Sequence, residues 1–186
     1  LIFSDTNIIQ DTKGIGRAKK ALLIAIRELI LRVKLSEFQT KDSLDRKSLF
    51  EYLYWITNKE TRECFYLICF DSHKKVQSIK LLAKGSLEEV GVHLRDLVKV
   101  ILDSKSLEVI ISHNHPNDSS KPSEADFHVY NRLKDFLAEL EVSLLDQWIL
   151  GVDGIYSCSK KRKIFKIKKN VTHKSKSKSK NSFHLS

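Results

Sequence analysis

Apolar residues first recur at helical spacing near the start of the chain. Leu22, Ile26, Leu29 or Ile30, and Val33 share one face and predict a helix reaching about residue 35. Residues 36–47 are polar, and their first part, 36–41, is expected to be a linker before a second unit that begins at about 42. The pattern then changes. Residues 49–56 suggest a helix, 65–70 a buried strand and 76–83 a second strand; 94–102 return to helical period, and 109–112 form a short apolar strand. Residues 124–140 predict a long amphipathic helix with Phe127, Tyr130, Leu133 or Lys134, and Leu137 in register. Strands at 142–150 and 155–158, joined by a turn at 151–154, complete a sheet. Strands alternating with helices imply an α/β domain with a mixed sheet and flanking helices. After about residue 160 no apolar period survives, and a Lys-Ser alternation at 174–180 predicts a disordered, lysine-rich tail over 165–186.

Composition narrows the class. The chain has 186 residues, 41% hydrophobic and 30% charged, with only 6 Gly and 2 Pro, which excludes collagen-like and wholly disordered readings. No run of about 18 apolar residues exists, so no membrane partner is expected. Methionine is absent and the chain begins at Leu1, which predicts a truncated N-terminus. The formal net charge of +10 is unevenly placed. Residues 159–186 hold 11 of the 33 Lys and Arg and no acid, which leaves 22 basic against 23 acidic side chains over residues 1–158. The body is therefore near neutral, and any attraction to nucleic acid through bulk charge belongs to the tail. Cys64, Cys69 and Cys158 are odd in number and lack C-x-x-C spacing, which fits reduced, buried thiols and a cytoplasmic location.

Two motifs carry chemistry. Gly14-Ile15-Gly16, followed by a helix from about Arg17, resembles the helix-hairpin-helix of many DNA-repair proteins. In such a hairpin, backbone N–H groups near the glycines grip a phosphate, and Arg17, Lys19 and Lys20 would add charge. A plain structural turn between helices competes with that reading. The second motif is Ile110-Ile111-Ser112-His113-Asn114-His115-Pro116, followed by Ser123 and Asp126. His113 and His115, two apart at a strand end, point to one side. Asp126 falls in the first turn of the long helix. Two imidazoles and a carboxylate make a three-ligand set for one Zn2+, with a fourth position left for water. Taken singly, Ser123 and Asp126 read equally well as helix caps and the histidines as loop residues.

The arrangement His113-x-His115, seven residues, Ser123, two residues, Asp126 resembles the JAMM (MPN) metalloprotease signature. Added to Arg62-Glu63-x-Phe65, Phe70-Asp71, Lys84-Gly85-Ser86, Val92-His93-x-Arg95 and Leu144-Leu145-Asp146, it resembles the RadC family specifically, over about residues 42–158. The resemblance implies a cytidine-deaminase-like JAMM/MPN domain over 42–164, preceded by a partial all-α helix-hairpin-helix over 1–35. It implies zinc held by His113, His115 and Asp126, Glu63 as general acid/base and Ser123 as oxyanion donor. The implied activity is a hydrolase that cleaves peptide or isopeptide bonds through a metal-activated water. Its partner would be a peptide or protein substrate, and no oligomeric state is set. Glu60 competes with Glu63, and only the family pattern selects between them. Gln147, Asn117-Asp118 and Leu94 depart from residues usual in the family; none of these is a ligand position, but Gln147 is expected to alter the surroundings of the ligands or the rim of the substrate site. A different class of function remains: a non-catalytic DNA-associated repair or accessory protein that uses Gly14, Gly16, Arg17, Lys19 and the basic tail. A nuclease of the His-Asn-His type is excluded, because its residues spread along a ββα unit rather than lying contiguous at one strand end.

Overall fold

The computed structural model describes residues 16–40, 46–57, 60–85 and 93–167. Gly14 lies outside these residues, as do 168–186 and therefore the Lys-Ser alternation. Gly16, Arg17 and Lys19 lie exposed at the start of the first described helix, α1 (Arg17–Thr40). That helix corrects two expectations. It runs on through residues 36–40, where a linker was expected, because Leu31, Leu35 and Phe38 form a second apolar line at helical spacing and reach the core. Phe38 is buried and meets Tyr52 edge-on at 5.7 Å. The other line, read from the sequence as the inward face, has Leu22, Leu29 and Val33 about half exposed or more. With apolar residues on two sides of α1, periodicity alone could not say which side is covered.

α2 (Arg46–Thr57) follows, then β1 (Cys64–Phe70), β2 (Val76–Lys84), α3 (Leu94–Ser104), β3 (Glu108–Asn114), α4 (Glu124–Glu139), β4 (Ser143–Gly151), β5 (Gly154–Ser157) and β6 (Arg162–Lys166). The strands form one six-stranded sheet in the order β2-β1-β3-β4-β5-β6. All neighbours are antiparallel except β3 and β4, which are parallel and joined through α4. β6 corrects the expectation of disorder from residue 165. Ile164 and Phe165 pack against the core, and Phe165 approaches Phe50 at 5.7 Å. Two apolar residues among lysines are too few to show a strand period, but backbone pairing with β5 holds them.

Alternation along the central strands builds two cores. Ile68, Phe70, Ile110, Trp148 and Leu150 face α1 and α2, while Leu67, Cys69, Val109, Ile111 and Ile149 face α3 and α4. β1 and β3 are buried on both faces, which is why they read as continuous apolar runs rather than alternating ones. The same parity continues to the end of β3. His113 follows Val109 and Ile111 onto the α4 side, whereas Asn114 follows Ile110 onto the α2 side. Because β1 runs antiparallel to β3, with Phe65 opposite His113, the start of β1 and the end of β3 meet at one end of the sheet. The N-terminus of α4 arrives at that end too.

Candidate metal centre

His113 sits at the last core position of β3, fully buried, with the Phe65 ring stacked on it at 4.8 Å and 22°. The cross-strand pairing that sets β1 against β3 thus fixes the plane of the imidazole. His115 lies just past the strand. Its backbone N–H donates to Leu150 O at 2.7 Å, which extends the β3–β4 ladder by one bond. Its Nδ1 lies 3.0 Å from Ser119 O. A carbonyl can only accept, so Nδ1 carries the proton and donates it, and Nε2 is free to ligate in the neutral ring.

Asp126 enters from α4. Ser123 is the N-cap and forms a capping box with it: Asp126 N–H donates to Ser123 Oγ at 3.2 Å, and Ser123 N–H donates to Asp126 Oδ2 at 2.7 Å. The Ser123 hydroxyl also donates to Oδ2, at 2.7 Å. Asp126, Tyr130, Leu133 and Leu137 are the buried residues of α4 and lie four, three and four apart, so the carboxylate occupies the first position of the helix's inward stripe.

These elements bring His113 Nε2 to 2.9 Å from Asp126 Oδ1, His115 Nε2 to 3.4 Å from Asp126 Oδ2, and the two Nε2 atoms to 3.3 Å from one another. The three groups can each offer one ligand atom, with all of these atoms within 4.8 Å, and they are the set among the described residues that could hold a metal ion. Burial works to raise the Asp126 pKa, yet the hydrogen bonds from His113 and His115 outweigh it and hold the carboxyl well below its ordinary range. For His115, burial works to lower the pKa; the hydrogen bond and charge of Asp126, helped by Ser119 and Glu63, outweigh it and raise it. Three electron-rich atoms crowded this closely need a shared positive charge, supplied by protons or by a cation. The donor set fits a divalent metal: two imidazole nitrogens and one carboxylate, with the His115 tautomer and the Asp126 carboxylate both held by neighbours.

Glu63 lies one residue before β1, half-buried, and its charge is felt at His115. Its backbone O accepts from Gly85 N at 2.9 Å. The competing carboxylate, Glu60, is spent on Lys84, with which it makes a close ion pair. Ser123 is at the site, with its hydroxyl given to Asp126. Gly16, Arg17 and Lys19 belong to α1 and its start and take no part in this cluster.

Several contributors escaped the sequence reading. Asn114 accepts from Cys64 N–H at 2.8 Å through Oδ1, and its Nδ2 donates to Arg62 O at 3.4 Å, so it clamps the backbone on both sides of Glu63. Its even position between two odd ligands was the available signal. Gln147 did not escape it: the departure from the family pattern marked it as a neighbour of the ligands, and it is fully buried on β4 and donates from Nε2 to Asp126 O at 3.3 Å. The loop that supplies Ser119 O is held by Val152 N–H donating to Asp118 O at 2.8 Å and by Ser120 N–H donating to Asp153 Oδ1 at 2.8 Å.

The model of one protein family, described as the RadC-like JAB domain, matches residues 44–164. Among curated relatives, a UPF0758 protein of Aliivibrio fischeri (strain MJ11) is 30% identical over 158 residues, spanning 84% of this chain and 70% of that protein. A UPF0758 protein of Shewanella putrefaciens (strain CN-32) is 33% identical over 158 residues, with the same two shares covered. With a mixed six-stranded sheet between pairs of helices and a His-His-Asp group at the end of its parallel strands, the chain belongs to the RadC family and carries a RadC-like JAB domain.

Proposed function

We propose that the chain is a zinc-dependent hydrolase that cleaves peptide or isopeptide bonds. The observation that carries this reading is the spacing of the donor atoms, 2.9–3.4 Å between neighbours. Ligand atoms at zinc's usual bond length, about 2.0–2.1 Å, stand about 3.3 Å apart on a tetrahedron. Zinc held by three protein groups lowers the pKa of a bound water to about 7 and polarises a carbonyl.

The chain's own residues supply the rest. His113, His115 and Asp126 hold the ion, and the Ser119 carbonyl and the capping box keep two of them aimed. Glu63, beside His115 at the sheet end, receives a proton and passes it to the leaving amine. Ser123 is the candidate oxyanion donor, and it performs that role only by turning its hydroxyl away from Asp126. A second reading, nucleic-acid association, rests on the exposed Gly16, Arg17 and Lys19 and on the 11 basic residues after position 158.

The first test is bound-metal analysis of the purified protein beside His115→Ala, Asp126→Ala and Glu63→Gln. The expected result is about one zinc per chain in the wild type and in Glu63→Gln, and none in the two ligand variants. A folded wild type that takes up no supplied zinc would overturn the hydrolase reading.

A further inference from the structure

The ring of His113 has one nitrogen in the metal cluster and one outside it. Nε2 faces Asp126 and His115. Nδ1 is buried and has no hydrogen-bond partner among the described residues. A histidine that ligates through Nε2 must carry its proton on Nδ1, and a buried N–H without an acceptor is destabilising. His115 meets this need with the Ser119 carbonyl. His113 needs an acceptor of its own.

Gln147 presents the complementary deficit. Its side chain is fully buried and its Oε1 is also without a partner. The amide cannot simply turn over, because Nε2 is committed to Asp126 O at 3.3 Å. Oε1 therefore remains an acceptor, in the space walled by β3, β4 and the first turn of α4. Register puts the two groups together. Gln147 pairs with Ile111 and His113 with Ile149 across the parallel β3–β4 ladder, so they are diagonal neighbours on one face of the sheet. The Gln147 side-chain amide already reaches the backbone O of the residue whose carboxylate meets His113. Two buried orphans, a donor and an acceptor, beside the same ligand make a pair.

We propose that Gln147 is a positioning residue of the metal centre: its Oε1 accepts the Nδ1 proton of His113, directly or across one water, and so fixes the tautomer in which His113 Nε2 ligates. Nε2 of the same amide steadies the backbone of Asp126, so a single side chain on β4 sets two of the three ligands. The consequence for metal affinity rests on the zinc reading above, whereas the consequence for the His113 proton does not.

The test compares wild type, Gln147→Leu and Gln147→Glu in two measurements. Imidazole nitrogen NMR, run on metal-free protein below the histidine titration range and again with zinc added, reads whether the His113 Nδ1 proton is hydrogen-bonded. Chelator competition reads the zinc dissociation constant. Gln147→Leu keeps the volume and removes the acceptor; it should lose the hydrogen-bonded Nδ1–H signal and bind zinc about 10- to 100-fold more weakly, the usual effect of losing such a partner. Gln147→Glu restores an acceptor without the donor, and should recover the Nδ1 signal and most of the affinity. A merely structural role for Gln147 would move the thermal midpoint and leave the Nδ1 signal alone. An unchanged His113 Nδ1 signal in Gln147→Leu overturns the proposal, whatever the metal does. Zinc uptake absent from the wild type while the Nδ1 signal still follows residue 147 overturns the zinc reading and leaves the pairing standing.

Discussion

At the scale of single residues, burial decides what the three cysteines can do. Cys64, Cys69 and Cys158 are free and buried. Burial pushes Cys64 up to about 11, with Glu60 adding to the effect and Lys84 opposing it; burial also pushes Cys158 up to about 12, helped by Asp146 and Asp126. Thiols held neutral in this way are poor nucleophiles and poor metal ligands, which fits a metal cluster built without them. The folded protein should therefore leave both unreacted with a thiol reagent at pH 8, and denaturant should release all three; rapid labelling of the native chain would contradict the burial. The sign of the pH effect follows. An acid whose folded pKa is raised contributes stability that is whole below its unfolded value, about 8.5, and is lost as pH rises toward the folded value. The urea midpoint should fall between about pH 8.5 and pH 11, and more steeply than in a Cys64→Ala, Cys158→Ala double variant. The sequence pointed to these thiols as small buried hydrophobes on count and spacing alone. It identified His113, His115 and Asp126 through a local motif, because strand parity and a helix cap are local physics. Gln147 stood out only as a departure from the family pattern; its contact with Asp126, 21 residues away in the chain, comes through the β3–β4 register, which no local pattern encodes.

At the scale of elements, the loop between β3 and α4 is aimed by contacts made far from it in sequence. Gly151, at the end of β4, lies so close to this loop that an added Cβ would run into the backbone of Ser119 and Ser120. Asp153 takes the Ser120 N–H and is itself paired with Lys163 on β6; against the opposing effect of burial, these hold its carboxyl down to about 2. β6, which crosses the domain boundary expected from the sequence at 164, thus braces the turn that holds the loop whose Ser119 carbonyl orients His115. Gly151→Ala should displace residues 119–120 and lower zinc affinity although no ligand is touched, with a loss of about 1–3 kcal/mol in folding stability. Thermal melts in chelator and zinc competition check the two effects separately. The cap behaves differently. Ser123→Ala removes one acceptor at the start of α4 and should cost about 1 kcal/mol of stability in the metal-free protein. If the hydroxyl also serves catalysis, turnover falls far more than that stability loss explains; equal, small losses would confine Ser123 to its cap. The elements the sequence misjudged share one cause. The covered face of α1, the helical residues 36–40 and β6 are all set by what packs on them, and their own patterns admit two answers.

At the scale of the whole molecule, charge and fold are separated along the chain. Over residues 1–158 basic and acidic side chains nearly balance, and the excess begins at Lys160. That excess divides again. Lys160, Lys161, Arg162, Lys163 and Lys166 sit on β6 or the turn before it, with Lys163 paired to Asp153, whereas Lys168, Lys169, Lys174, Lys176, Lys178 and Lys180 follow the last strand. A truncation at residue 161, the boundary suggested by composition, would strip an edge strand from the sheet together with the Asp153 brace, and would confuse folding with binding. Deleting 168–186 removes six lysines and no acid while sparing every described contact. If this segment carries nucleic-acid association, retention on a DNA column at low salt should largely disappear in the truncated protein while zinc content stays the same. In the intact chain, affinity should fall steeply with salt, with a log–log slope of up to about −5 if six lysines each displace a counterion. Retention that survives the deletion would move the contact to the start of α1, and Arg17→Ala with Lys19→Ala in the truncated background would then abolish it. Loss of zinc on the same deletion would instead mean that residues beyond 167 contribute to the site, and that the three candidate ligands His113, His115 and Asp126 do not suffice.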